Sequence, residues 1–205
     1  CEMSLHNATA ADFFRQSAAV TAPEVHQCWL DKLRQPPTGK ALDIGAGSGR
    51  DARFLGSLGF DVIAVEPADL LREQAIAHCQ QLPPPRPEIR WLADQLPDLP
   101  KVVALKQSFD LVLLSAVWMH LTPAERDCTL PVLSSLMAPK ALLVLTLRHG
   151  CFSDGRNSYP VSFEEILQLI NYHQLPLTPI LITNLAPDAL GRSDVLWQTV
   201  VLKKG

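Results

Sequence analysis

Along the chain, short apolar runs alternate with stretches whose apolar residues recur at helical spacing. The runs Ala41–Ile44, Asp61–Val65, Ile89–Ala93, Phe109–Ser115 and Ala141–Leu147 are short and rich in branched side chains, so each predicts a strand. Phe109-Asp110-Leu111-Val112-Leu113-Leu114 and Ala141-Leu142-Leu143-Val144-Leu145 are nearly continuous in apolar residues rather than alternating. That is the pattern of strands covered on both faces, as in a parallel sheet. Leu177–Thr183 and Val195–Leu202 predict two more strands, separated by a polar loop with Pro187 and Gly191.

Helix signals fill the gaps. Thr122-Pro123-Ala124-Glu125 is a capping box with proline at the first helical position, so a helix should start after Leu121. Pro131 should then kink or divide it, because proline cannot donate to the ladder. Ser162-Phe163-Glu164-Glu165 is a second capping box, and Phe163, Ile166, Leu167 and Ile170 follow it as one apolar stripe. Ala10–Ser17 and Pro23–Leu33 predict a helical N-terminal cap. Pro83-Pro84-Pro85-Arg86-Pro87 suits neither helix nor ladder and predicts a connector. There is no internal repeat.

Strands alternating with helical crossovers predict an α/β fold with an open, doubly wound, mostly parallel sheet. The expected layout is one domain over 1–205, with the cap at 1–38 and the core at 39–205. In such a sheet, ligands bind beyond the carboxyl ends of the strands, where the strand order switches.

Composition changes this picture little. Of 205 residues, 47% are hydrophobic and 19% charged, which supports a sizeable core and leaves little room for long disorder. A net charge of −3 offers no overall attraction to a nucleic acid, so none is expected as a partner. The five cysteines are scattered and odd in number, with no CxxC pair, so reduced thiols in a cytoplasmic protein are expected, without structural metal. No signal-peptide pattern and no apolar run of ~18 residues is present, so no membrane partner is expected. The chain begins at Cys1 rather than Met, as a processed or trimmed product would.

The chemistry-bearing residues follow the strands. Gly45-x-Gly47-x-Gly49 comes after the first, where glycines let a ligand approach the backbone and the next helix offers free N–H groups. Glu66 comes after the second, placed to accept both hydroxyls of a ribose. Asp94-Gln95 follow the third strand, Ser115 to His120 the fourth, and Arg148-His149-Gly150 the fifth. Each alone has an ordinary reading: a turn, a solvated acid, a helix cap. Their joint register after five strands points to a ligand site.

The glycine spacing bears on which ligand. A dinucleotide turn reads G-x-G-x-x-G, with a helix N-terminus receiving a pyrophosphate. Here the third glycine comes one residue early, and Arg50-Asp51 open the helix. An acid there would repel a diphosphate. A nucleoside without phosphate, carrying an amino-acid tail, suits the turn better.

"ALDIGAGSGR", "VIAVEP", "WLADQLPDL", "FDLVLLSAVWMHL" and "LMAPKALLVLTLR" together resemble the class I S-adenosylmethionine-dependent methyltransferases, over about residues 40 to 200. The resemblance implies a seven-stranded Rossmann-like sheet with the last strand antiparallel. It implies S-adenosylmethionine as cofactor and S-adenosylhomocysteine as product. Gly45, Ala46 and Gly47 would line the methionine portion, with Asp43 bracing the loop and Arg50 beside it. Glu66 would hold the ribose and Pro67 pack beside the adenine. Asp94 and Gln95 would meet the adenine edge. The Ser115 carbonyl would receive the ammonium, Trp118 would pack nearby, and Arg15 on the cap could pair with the carboxylate or be a surface charge. "Ala-Pro-Lys-Ala" departs from the Pro-Gly-Gly often found in relatives, which affects a turn.

For the acceptor no dedicated motif is present. The compact size favours a small molecule accepting at O, N or S. His149 could serve as base or bind substrate, His120 could be a base or a buried helix-start histidine, and Tyr159 could contribute to either role. Arg148 and Arg156 hint at an anionic acceptor, and the loop Gly150–Pro160 could act as a lid. Two readings from other classes remain, a non-catalytic cofactor-binding partner protein and an NAD-dependent oxidoreductase. Oligomeric state is not legible.

Overall fold

A computed structural model describes residues 14–17, 19–82, 88–150 and 156–205. The expectations for residues 10–13, the proline-rich connector and residues 151–155 lie outside them. A helical turn at 14–17 precedes α1 (Ala22–His26) and a 3-10 turn at Leu30–Lys32. Then follow β1 (Lys40–Ile44), α2 (Arg50–Leu58), β2 (Asp61–Val65), α3 (Asp69–Gln81), β3 (Ile89–Leu92) and α4 (Pro100–Ala104). The second half contains β4 (Phe109–Ser115), a 3-10 turn at Trp118–His120, α5 (Pro123–Leu136), β5 (Met137–His149) and α6 (Phe163–Tyr172). It closes with β6 (Leu177–Ile182), β7 (Ala186–Pro187) and β8 (Leu196–Lys204).

The sheet order is β3-β2-β1-β4-β5-β8-β6, with β7 pairing β8. Neighbours from β3 to β5 are parallel, and β8 runs antiparallel to both β5 and β6. This is the expected doubly wound sheet with its antiparallel last strand. The two-residue β7 is an eighth strand, too short to leave a periodic signal. The strand order reverses between β1 and β4, so the crevice opens beyond Ile44 and Ser115.

The continuous apolar runs are buried on both faces, as predicted. Val112, Leu114, Leu143, Leu145 and Leu147 enter the core cluster that also contains Leu130 and Leu133 of α5 and Ile166 and Ile170 of α6. Leu111, Leu113, Leu142 and Val144 enter the opposite one, with Trp29, Leu33, Ala52 and Leu55. Each such side chain contributes roughly 1.5–3 kcal/mol on burial.

Three expectations needed correction. The helix predicted over Pro23–Leu33 ends at His26, where the chain tightens so that fully buried Trp29 bonds back by its N–H to the His26 carbonyl. Pro131 does not divide α5, which runs through it for 14 residues. Burial of Leu130, Leu133 and Leu136 on either side outweighs the missing ladder bond. β5 outruns Ala141–Leu147 at both ends, because Met137 pairs with Phe109 and His149 with Leu196.

Candidate functional site

The glycine-rich turn is folded by its own backbone. Gly45 and Ala46 both donate to the Val65 carbonyl at 2.9 Å, and Gly49 donates to Ala46 at 2.8 Å. Gly45, Gly47 and Gly49 have φ of +72°, +54° and +75°. A Cβ on Gly45 would lie 2.6 Å from Val117 Cγ2, and one on Gly49 would lie 2.9 Å from the Trp91 ring. The turn is therefore pressed between the ends of β3 and β4. Glycine at 45 and 49 is demanded by protein packing before any ligand is considered.

Carboxylates surround this turn. Buried Glu66 accepts from Gly47 N–H at 2.9 Å and from Ala68 N–H at 3.0 Å. Its burial raises its pKa above the ordinary carboxylate value. Asp43, 1% exposed, accepts from the Ala52 N–H, and its Oδ2 has no partner among the described residues. Burial and then the neighbouring charge of Asp51 push it well above the usual range, with Arg50 opposing. For Asp51, burial acts upward but is outweighed. The His26 hydrogen bond and then Arg50 hold that carboxyl far below its ordinary value.

His26 is fully buried, its Nε2 3.2 Å from Asp51 Oδ1, while its Nδ1 accepts from the Trp29 indole at 3.2 Å. With Nδ1 accepting, Nε2 is the ring nitrogen that faces the acid. Arg50 donates to Asp51 at 2.8 Å and to the Val20 carbonyl at 3.1 Å. Ser17 and Ser48 hydroxyls are 2.6 Å apart. These contacts dock the cap on the turn and spend Arg50 within the protein. Two more guanidiniums meet the same turn: Arg53 donates to the Ser48 carbonyl at 2.9 Å and Arg72 to the Glu66 carbonyl at 2.8 Å, so the carboxylates stand among cations.

Asp94, 5% exposed, accepts from Gln95 through Oδ1 and from Lys101 and Val102 through Oδ2, so it caps α4. Gln95, next in the chain, and Pro67, after β2, are exposed. At the end of β4, Ala116 has φ +58° and donates to Thr146 Oγ1 at 2.8 Å. Ser115 precedes it, half-buried. Trp118 does not line the cleft. It is fully buried in the core, with the Arg126 guanidinium 5.9 Å from its ring centre. Arg15 is exposed on the helical turn at 14–17.

On the acceptor side, His149 ends β5, and its Nε2 is buried with no partner among the described residues. Arg148 is buried on the opposite face of the strand, across from Trp197. The 156–160 segment is held by three clasps. His120 Nδ1 lies 2.8 Å from the Asn157 carbonyl, Tyr159 N–H donates to Met119 at 2.8 Å, and Arg126 closes the third. Arg126 is 1% exposed and donates to the carbonyls of Trp118, Tyr159 and Pro160 and to both oxygens of Glu165. The Ser162 cap is accordingly half a box: Ser162 accepts from Glu165 N–H while the Glu165 carboxylate goes to Arg126. Arg156 is exposed. Beyond Gly150, the 183–195 loop is anchored by Asp188, which accepts from Leu190 and Arg192 backbone N–H groups, the Arg192 side chain and the Trp197 indole.

The structure thus gathers Asp43, Gly45, Ala46, Gly47, Glu66, Asp94 and Ser115 at one end of the sheet. Sequence reasoning missed His26, Thr146, Arg126 and Asp188. Nothing local distinguishes Arg126 from a solvated helix residue, since all its partners lie elsewhere in the chain.

Residues 41–140, from β1 to the start of β5, match the family described as a methyltransferase domain. Over these residues the chain carries a methyltransferase domain, and its fold is the Rossmann-like one of the class I S-adenosylmethionine-dependent methyltransferases. No curated protein matches this methyltransferase in sequence. Its fold resembles that of N-methyltransferase NodS from Bradyrhizobium japonicum, solved with S-adenosylhomocysteine, with TM-score 0.69 and 15% identity over 98% of this chain and 97% of that one. It likewise resembles Burkholderia thailandensis 1,6-didemethyltoxoflavin-N1-methyltransferase, with TM-score 0.69 and 19% identity over 98% and 84% of the two chains. Magnesium protoporphyrin IX methyltransferase from Synechocystis, solved with S-adenosylmethionine, gives TM-score 0.68 and 13% identity over 96% and 84%. At such identities these likenesses speak for the fold.

Proposed function

We propose that this methyltransferase moves a methyl group from S-adenosylmethionine to a small-molecule acceptor, at O, N or S. The observation that carries the reading is the buried, unpartnered Oδ2 of Asp43 beside a glycine turn ringed by carboxylates. A buried acceptor without a donor is costly unless a ligand completes it, and the ammonium of S-adenosylmethionine is such a donor. Bound there, S-adenosylmethionine supplies a methyl group activated on sulfur.

In this reading Asp43 and the Ser115 carbonyl receive the ammonium, and Gly45, Ala46 and Gly47 leave room for the amino-acid tail. Glu66 keeps an accepting lone pair on each oxygen beyond its bonds to Gly47 and Ala68, enough for two ribose hydroxyls. Asp94 retains capacity on Oδ1 for the adenine edge, with Gln95 and Pro67 alongside. On the acceptor side His149 Nε2 is the group available to take a proton. His120 and Tyr159, locked by the clasps, shape the wall, and exposed Arg156 favours an acceptor carrying negative charge, whereas Arg148 is turned to the other face of β5. The protein's contribution to the displacement is alignment and exclusion of water. The likeness to enzymes named for small substrates supports a small acceptor. Cys28, Cys79 and Cys128 are free thiols, which supports a cytoplasmic setting. Among the described residues no helix is long and apolar enough to cross a membrane.

Titration calorimetry with S-adenosylmethionine, S-adenosylhomocysteine and NAD tests the reading. Saturable binding of the first two alone is expected. Binding of NAD alone, or of none, would overturn it.

A further inference from the structure

A second cavity lies at the opposite end of the sheet from the glycine turn. It has a volume of about 760 Å³ and opens where β1, β4 and β5 begin. That volume is the size of an ordinary small-ligand pocket. Its buried lining is apolar: Leu33, Phe60, Ala141 and Leu142 are each 8% exposed or less, and Ile180 of the edge strand adds a further apolar side chain.

The polar lining is mostly of one sign. Lys32, Arg34, Lys140 and Lys203 face a single carboxylate, Asp110, which already accepts from the Lys40 N–H. Lys32 is paired with Asp31 at 2.6 Å. Arg34, Lys140 and Lys203 make no ion pair among the described residues. A protein with a net charge of −3 thus concentrates basic side chains around one apolar hollow. Lys140 stands there at φ +64°, a left-handed conformation that glycine adopts far more readily than lysine. A side chain kept at an unfavourable backbone angle directs attention to what it does there.

We propose that this cavity binds a small amphipathic organic anion, its apolar body against Phe60 and Leu142 and its carboxylate or sulfonate among Arg34, Lys140 and Lys203. A bare inorganic anion would leave the apolar lining unused, and a neutral apolar molecule would leave the cations unused. The site is separate from the strand-end crevice and does not depend on methyl transfer.

The test uses the full chain and 8-anilinonaphthalene-1-sulfonate as the probe, read by its fluorescence. Saturable binding is expected, displaced by octanoate but neither by equal concentrations of inorganic phosphate nor by S-adenosylhomocysteine. Lys140→Gly and Lys203→Gln together should weaken it by at least roughly tenfold, the scale of a lost charge-assisted contact. Lys140→Gly alone should not lower the melting temperature, since glycine fits the backbone there. Absence of binding, unchanged affinity in the double variant, or displacement by S-adenosylhomocysteine would each overturn the proposal. Phosphate competing as well as octanoate would do so too, by showing that charge alone is recognised.

Discussion

The two halves of the strand-end crevice are held together by different kinds of contact. Around β1 to β3, backbone N–H groups meet carboxylates that follow strands: Gly47 on Glu66, 19 residues away, and Gln95, Lys101 and Val102 on Asp94, at most 8 away. Around β4 to β8, one buried guanidinium gathers groups 33 to 39 residues beyond it, and His120 reaches 37 residues to Asn157. The first half is a set of turns that fold themselves around buried carboxylates. The second is a set of long-range clasps that fix a wall. Cofactor affinity and acceptor-side order should therefore fail separately.

Arg126→Ala offers the strongest way to break that separation. It strands the Glu165 carboxylate and three carbonyls, and should lower stability by about 3 kcal/mol in urea unfolding. The affinity of the folded variant for S-adenosylhomocysteine should stay within about threefold, a change below ~1 kcal/mol. A matching collapse of affinity would show the two halves to be one unit. Gly47→Val is the converse experiment. A β-branched residue at φ +54° cannot follow the turn, so calorimetry should find binding weakened at least ~100-fold, about 2.7 kcal/mol. Retained binding would reduce the glycine to a structural role.

A smaller effect is expected from Glu66→Ala, which should cost ~1–3 kcal/mol of cofactor affinity, the value of hydrogen bonds to a charged group. Unchanged affinity would remove Glu66 from the ribose. The smallest is a gain. Asp43→Asn keeps an acceptor for Ala52 N–H but removes a charge that burial disfavours, so stability at pH 7 should rise by about 1 kcal/mol while cofactor binding weakens. The sign follows from the raised pKa of Asp43. The folded chain takes that proton more readily than the unfolded one, so the wild-type penalty is present at neutral pH. It fades as pH falls through the folded value toward the unfolded one near ~4. The advantage of the variant should shrink over the same range, and an advantage that grew on acidification would refute the assignment.

Much of the half around the glycine turn was legible because its devices are local. Three glycines in five residues, an acid after β2 and an acid after β3 each mark a backbone need that the sequence states directly. Even so, Gly45 and Gly49 answer to packing that the local pattern does not state. Their Cβ positions are closed by Val117 and Trp91, contacts across strands that no local pattern encodes. The pairing of Arg50 was also out of view, since Val20 approaches it only once the cap has docked.

By itself the sequence determined the alternation of strands and helices, the strands buried on both faces, and the capped starts of α5 and α6. It also placed chemistry-bearing residues just after five strands. These follow from periodicity and from backbone angles, which neighbours along the chain decide. Tertiary structure alone decided that Trp118 turns into the core and that α5 survives Pro131. It alone made Arg126 the clasp of the 156–160 segment and gathered basic residues around a hollow at the far end of the sheet. The physical reason is common to all four. Burial and charge pairing depend on which distant segments meet, and a helix-surface arginine, a mid-helix proline or a rim lysine reads the same in sequence whatever it will face.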